Sequence, residues 1–257
     1  MLAALADRND KKKIYATNAS ASNTYYCPNC KERVIPHLGR KVVHHYKHKP
    51  GCSCQYQGEK REHMQAKYAV YDALKQRGLN VEMEKFVQTL CPEGNRYADI
   101  YVKSPTGVKV AIELQYSNIT EGNILKRTIA YKNANTCVLW VQIAPKRITD
   151  KLESRQKNCF VSKLSPTPLM RWLDVVRPTA WLYEPISSTF WNFELTKHQL
   201  YKTDREGFEY PYSSKRWVDT SFTGPFDVTD LLIHPSFNIK YEDKQYHLAE
   251  FNEKSIL

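Results

Sequence analysis

Arg96-Tyr97-Ala98-Asp99-Ile100 and Val108-Lys109-Val110-Ala111-Ile112-Glu113-Leu114-Gln115, joined by Ser104-Pro105-Thr106-Gly107, decide the fold. Val108, Val110, Ile112 and Leu114 alternate along the second segment, so Ala111, Glu113 and Gln115 share the other face of a strand. A three-residue loop, Pro105-Thr106-Gly107, with Gly107 in the left-handed region, pairs Ser104 with Val108 and sets Asp99 opposite Glu113. Opposed like charges about 5 Å apart destabilise a sheet unless a counter-charge joins them. A hard divalent cation with oxygen ligands, Mg²⁺ or Mn²⁺, supplies that charge.

Around this hairpin the periodicity predicts more of an α/β unit. Glu59, His63, Lys67, Val70 and Leu74 fall on one helical stripe and Met64, Tyr68 and Tyr71 on the next, with Gly78 as the stop. Asn80 to Val87 reads as a strand, 90 to 95 as a loop, and Thr120 as the N-cap of a helix ending near Asn133. Thr136 to Ile143 is a nearly continuous apolar strand, the mark of burial on both faces. The order is helix, three strands, helix, strand. Upstream, Leu5 to Tyr15 reads as a short hairpin around Asn9-Asp10.

Charge is unevenly placed along the 257 residues. The net +11 divides into 22 Lys+Arg against 12 Asp+Glu in residues 1 to 145, and 16 against 15 in the remainder. A surplus of +10 beside a carboxylate pair is the footprint of a polyanion binder. No basic n-region precedes the apolar start, and no run of 18 apolar residues occurs, so the expectation is a cytoplasmic chain that does not enter a membrane.

Four of the seven cysteines crowd between Cys27 and Cys54. Cys27-x2-Cys30 followed by His45-x2-His48 is a spacing suited to a closed tetrahedral Zn²⁺ site, with Cys52 or Cys54 competing for the place of His45. Cys91, Cys137 and Cys159 stand apart and read as small buried hydrophobes.

Cys27-Pro28-Asn29-Cys30, His45-Tyr46-Lys47-His48-Lys49, Glu59 to His63 to Lys67, Ala98-Asp99-Ile100, Ile112-Glu113-Leu114-Gln115-Tyr116-Ser117, Arg127 to Tyr131 and Leu139-Trp140 occur in that order. In this ordered set the chain resembles the competence protein CoiA-like family. The resemblance implies a restriction-endonuclease-like αβββαβ core (58–145) between an N-terminal hairpin and zinc module (1–57) and a C-terminal accessory region (146–257). It also implies a Mg²⁺- or Mn²⁺-dependent deoxyribonuclease, with Asp99, Glu113 and Gln115 as its site and Glu59 as a further acid. DNA would be the substrate and a recombination or DNA-processing protein a possible partner. Where this fold commonly has lysine, the chain has Gln115. Lys67 is the candidate to supply the missing charge from the neighbouring helix. The alternative is a zinc-containing DNA-binding adaptor with a degenerate core. Arg127 and Tyr131 suit either phosphate contact or helix packing. The tryptophans of the last region (Trp172, Trp181, Trp191, Trp217) read as core rather than as base-stacking platforms, because charge there is near neutral.

Overall fold

The computed structural model describes the backbone of residues 1–54, 59–89, 96–144, 152–156, 159–176, 180–196, 200–203, 206–212, 218–241 and 244–253. The expected boundaries at 57/58 and 145/146, the loop 90–95, Cys91 and Trp217 lie outside the described residues. The fold is mixed α/β, richer in strand than in helix.

The first sheet contains β1 (Ala3–Leu5), β2 (Lys13–Tyr15), β3 (Tyr25–Tyr26), β4 (Arg33–His37) and β5 (His45–His48), in the spatial order β2-β1-β3-β4-β5. The apolar start is thus a strand, where helix propensity alone would favour a helix. Three residues cannot nucleate a helix, and Ala3 to Leu5 find partners in Lys13 to Tyr15 across the expected hairpin. A small core of Ala4, Ala16, Tyr25, Val34 and Tyr46 closes round Cys27 and Cys54.

Helix α1 (Arg61–Gln76) follows. It ends where Gly78 turns left-handed (φ +76°), with Gly78 N–H bonded to the Lys75 carbonyl and Leu79 N–H to that of Leu74. That pair of bonds is the Schellman arrangement, which a residue with a Cβ would strain. Strands β6 (Asn80–Val87), β7 (Arg96–Lys103) and β8 (Lys109–Gln115) then form an antiparallel meander. The hairpin turn is as predicted: Ser104 N–H donates to the Val108 carbonyl at 2.8 Å, and Gly107 has φ +88°.

From β8 the chain crosses through α2 (Glu121–Asn133), capped by the Thr120 side chain on Asn123 N–H, to β9 (Cys137–Ile143), parallel to β8. All but Cys137 of β9 is buried. The predicted order of helix, three strands, helix and strand is the observed one.

The later strands extend the same sheet. Among β10 (Glu153–Gln156), β11 (Cys159–Leu164), β12 (Ala180–Glu184), β13 (Thr189–Leu195), β14 (Leu200–Thr203), β15 (Glu209–Tyr212) and β16 (Val218–Phe226), five join the order β10-β11-β16-β13-β12-β9-β8-β7-β6. Strand β12 runs parallel to β9 after a crossover through α3 (Pro168–Val176), and β14 pairs with β15 separately. Strands β17 (Leu231–Tyr241) and β18 (Lys244–Glu253) pair with each other. Trp172, Trp181 and Trp191 are buried, as a core role requires. Cys137 and Cys159 are only half-buried, because each sits at the start of a strand rather than within the packed layer.

Two cores sandwich the sheet. On one face α1 packs Val70 and Leu74 against Val81, Met83, Ile100, Ile112, Leu114 and Val141. On the other, α2 and α3 pack Ile124, Tyr131, Leu169 and Leu173 against Ala111, Val138 and Trp140. Side chains along β8 and β9 alternate between the two clusters, as a pleated strand demands.

Candidate active site

Alternation fails along β6 and β7, and that place holds the candidate site. Along β7, Val102 and Ile100 face α1, yet Ala98, of the same parity, packs in the α2 cluster. Along β6, Met83 faces α1 and Val87, again of the same parity, faces the other way. Between them Glu84 has φ +51°, a strained conformation for a residue with a Cβ. The ladder pairs Met83 with Ile100 and resumes at Lys85 with Ala98. The twist turns Glu84 and Asp99 together toward α1. The β7–β8 pairs end at Ile100–Ile112, one residue short of Asp99 and Glu113, and the two carboxylates take different partners, Asp99 from α1 and Glu113 from α2. The expectation of two carboxylates on one face is therefore corrected: a left-handed residue in β6 rotates one of them away.

Helix α1 meets Asp99 with the predicted stripe. His63 Nδ1 lies 3.1 Å from Glu59 Oε1, and His63 Nε2 lies 3.1 Å from Asp99 Oδ2. Both ring nitrogens face carboxylate oxygens, which only accept, so this arrangement suits the imidazolium. Burial works against charge on His63, but Asp99 and Glu59 outweigh it and raise its pKa. Lys67, only 3% exposed, places Nζ 2.5 Å from Glu59 Oε1, 2.9 Å from Glu84 Oε1 and 3.6 Å from Asp99 Oδ1. Burial would lower Lys67, yet Glu84, Glu59 and Asp99 hold it well above the ordinary lysine value.

The carboxylates respond in turn. Burial would raise Asp99, but His63, Lys67 and the Leu114 N–H, 3.0 Å away, hold it well below the usual carboxylate range. Burial would likewise raise Glu84, but Lys67 and the Leu2 N–H lower it. Glu84 also accepts from Ala3 N–H at 3.1 Å, so the first strand of the N-terminal sheet is tied to β6 of the larger sheet by a buried carboxylate.

Glu113 stands in a different environment, on the α2 face. Tyr131 O–H donates to its Oε1, and Arg127 Nη1 donates to Oε2 at 3.3 Å. Burial and the charge of Asp99 push Glu113 up to about 7, against the opposing pull of Arg127 and Tyr131. Helix packing and charge are thus combined in Arg127 and Tyr131: both hold Glu113. Gln115 directs its amide Nε2 to the Ser117 carbonyl and hydroxyl, at 2.7 and 3.2 Å.

Glu59, His63 and Asp99 offer ligand atoms that all lie within 4.8 Å of one another, and among the described residues only one other such group exists. Two carboxylates and one imidazole form a donor set that could hold a metal ion in place of the proton that His63 carries between them. His63 belongs to the stripe the sequence defined, yet it was not singled out as a ligand. Its signal was the i, i+4 spacing from Glu59. Glu84, in the middle of β6, was missed altogether, because a charged residue in an amphipathic strand ordinarily points to solvent.

The second group is Cys27, Cys30, His48 and Cys54. Cys27 Sγ lies 3.8 Å from Cys54 Sγ and Cys30 Sγ lies 3.3 Å from His48 Nε2. A tetrahedral zinc with bonds of about 2.3 Å to sulfur has S···S edges of about 3.8 Å, so the spacing fits the metal. Burial pushes the Cys27 thiol up to about 12, a cost that a bound cation reverses. His45 and Cys52 lie outside this group, which corrects the wider ligand set. His45 and His48 are three apart on β5, so they leave opposite faces of the strand. The His45 ring instead donates Nδ1–H to the Val43 carbonyl at 2.6 Å and stacks on His37.

Comparison with known proteins agrees with this two-part construction. Residues 6–57 match the N-terminal domain of competence protein CoiA, and residues 59–208 match its nuclease-like domain. No curated protein matches the chain. With more than half its length under the nuclease-like model, and both models in their proper order, the chain belongs to the competence protein CoiA family.

Proposed function

We propose that this protein is a Mg²⁺- or Mn²⁺-dependent deoxyribonuclease that hydrolyses DNA phosphodiester bonds during uptake, recombination or repair. The observation that carries the reading is the Glu59-His63-Asp99 group packed on a buried Lys67, one strand away from Glu113. A divalent cation there would polarise the phosphate and acidify a water.

The chain's own residues do the rest. Glu59, His63 and Asp99 would hold the cation, with Glu113 on the neighbouring strand, held by α2 and within reach of the charge of Asp99. Lys67 keeps three carboxylates close together without mutual repulsion and supplies the positive charge that Gln115 lacks. Glu113 binds a proton near neutral pH, the property that a general base for the attacking water needs. The Gln115 amide nitrogen is engaged by Ser117, which leaves its carbonyl oxygen to orient that water. Cys27, Cys30, His48 and Cys54 would hold a structural Zn²⁺. No described helix is long and apolar enough to cross a membrane, and the basic surplus of residues 1 to 145 suits a DNA partner.

The test is direct. Purified protein with added Mn²⁺ is expected to cleave a plasmid or a single-stranded oligonucleotide and to stop on chelation of that metal. Failure to cleave either substrate while still binding both would favour a DNA-binding adaptor.

A further inference from the structure

The N-terminal sheet has an inner and an outer face. Tyr25, Val34 and Tyr46 turn inward, to the small core round Cys27 and Cys54. Their strand neighbours must turn outward, because side chains switch face at every residue. The β3–β4 and β4–β5 registers therefore set Tyr26 beside Arg33, Ile35 beside Lys47, and His37 beside His45 on the outer face. None of these residues is acidic. Arg33 and Lys47 are exposed, and neither forms an ion pair with a described residue. Ile35, the next outward position after Arg33 on β4, is 44% exposed. At one end of the face the His37 and His45 rings stack with centroids 5.2 Å apart, and the bond to the Val43 carbonyl fixes the His45 ring. At the other end the Arg8 guanidinium lies over the Tyr26 ring, 5.2 Å from its centroid.

Cations without counter-ions, set among rings and an exposed aliphatic side chain, match an occupant that carries negative charge and flat apolar surfaces together. A duplex offers the charge but keeps its bases stacked inside, whereas a single strand offers both. The face also leads toward the candidate active site. Beside β5, the last strand in the order of its sheet, a cleft of about 260 Å³ is lined by His45 and Lys47 and also by Glu59 of the Glu59-His63-Asp99 group. We propose that the outer face of β3, β4 and β5 seats single-stranded DNA, with Arg33 and Lys47 on its phosphates and His37 and Ile35 against its unpaired bases, and that the strand continues past β5 toward Glu59. This rests on the nuclease reading for the nature of the ligand. It gives the N-terminal module a task of its own, which is to present the strand to the site.

The test is fluorescence anisotropy of the intact protein, without added Mn²⁺, against a labelled single-stranded oligonucleotide and its duplex over a range of salt. Wild type is expected to bind the single strand more tightly than the duplex. Arg33→Gln/Lys47→Gln should weaken single-strand binding and lower the log-log salt slope by about 1.4, two phosphate contacts at about 0.7 each. His37→Ala should raise the single-strand Kd about fivefold or more, the scale of one lost base-stacking contact, and leave the salt slope and the duplex Kd unchanged. Zinc content checks the fold of each variant. A folded double variant with the wild-type Kd and slope would overturn the assignment and leave the face to a protein partner. A folded His37→Ala that binds the single strand as wild type does, or that loses as much on the duplex, would overturn it too. Cleavage is read separately: a wild type that binds in this pattern but fails to cleave with Mn²⁺ would count against the nuclease reading and not against the face.

Discussion

Asp99 Oδ2 accepts the backbone N–H of Leu114 at 3.0 Å, so the side chain of one strand takes the place of a ladder bond on the next. The β7–β8 pairs run from Lys103–Lys109 to Ile100–Ile112, and beyond them the strands are joined through this carboxylate. One consequence is that Asp99 cannot serve the site without also holding Glu113 and Gln115 in place. Another is that its negative charge is stabilised by a fixed dipole as well as by His63 and Lys67, which is why it stays ionised despite its burial.

Lys67 sits where removing it strands charge. Lys67→Met should destabilise the protein by about 3 to 5 kcal/mol, because Glu84 and Glu59 are left without their buried partner. Adding Glu84→Gln to that variant should recover part of the loss, since the uncompensated carboxylate goes with it. Urea unfolding of both variants checks this; equal stability for wild type and Lys67→Met would mean that the cluster is open to water.

Glu113 should make stability fall as pH rises. Its proton is held more tightly in the folded chain, so its contribution is complete below about 4.5 and is lost as pH climbs through about 7. The shift corresponds to roughly 3 kcal/mol at about 1.4 kcal/mol per pKa unit. Glu113→Gln is expected to unfold at higher urea than wild type at pH 8 and at similar urea at pH 4.5. The same gap at both pH values would contradict the raised proton affinity.

His63 links metal to protons. Its folded pKa is raised, so its contribution to stability is present below about 6.5 and fades as pH rises through the folded value. A cation bound by Glu59, His63 and Asp99 must displace that proton, so Mn²⁺ affinity should strengthen from pH 6 to 8 with proton release. Calorimetry in buffers of different ionisation enthalpy measures the release. His63→Gln should lower it, and an unchanged release would remove His63 from the ligand set.

Much of this fold is legible in periodicity. The β8 alternation, the Gly107 turn and the Thr120 cap each follow from a local rule, and each appears in place. The site was less legible, because it depends on a departure from the rule. Nothing in Met83-Glu84-Lys85 marks Glu84 as left-handed, and only that twist turns Asp99 toward α1. For the cysteine cluster, Cys27, Cys30 and His48 were plain from spacing, whereas the choice of Cys54 over His45 and Cys52 for the fourth place needed the fold, in which His45 leaves the strand on the face opposite His48.

The zinc module gives a clean contrast. Protein purified without added metal should carry about one zinc per chain. Cys27→Ser and Cys54→Ser should lose it together with protease resistance in residues 27 to 54, while His45→Ala and Cys52→Ser should keep it. Elemental analysis decides, and zinc loss in His45→Ala alone would reverse the assignment made from the geometry.

The most direct measurement is the Mn²⁺-dependent cleavage rate of Asp99→Asn, which keeps an oxygen for the Leu114 N–H but removes the charge. The fold is checked by zinc content and urea midpoint, and DNA affinity by anisotropy. The account predicts folded protein with DNA affinity equal to or above wild type and cleavage reduced by at least about 100-fold, the scale expected when a group that stabilises the transition state is lost. Cleavage by folded Asp99→Asn at the wild-type rate would contradict it.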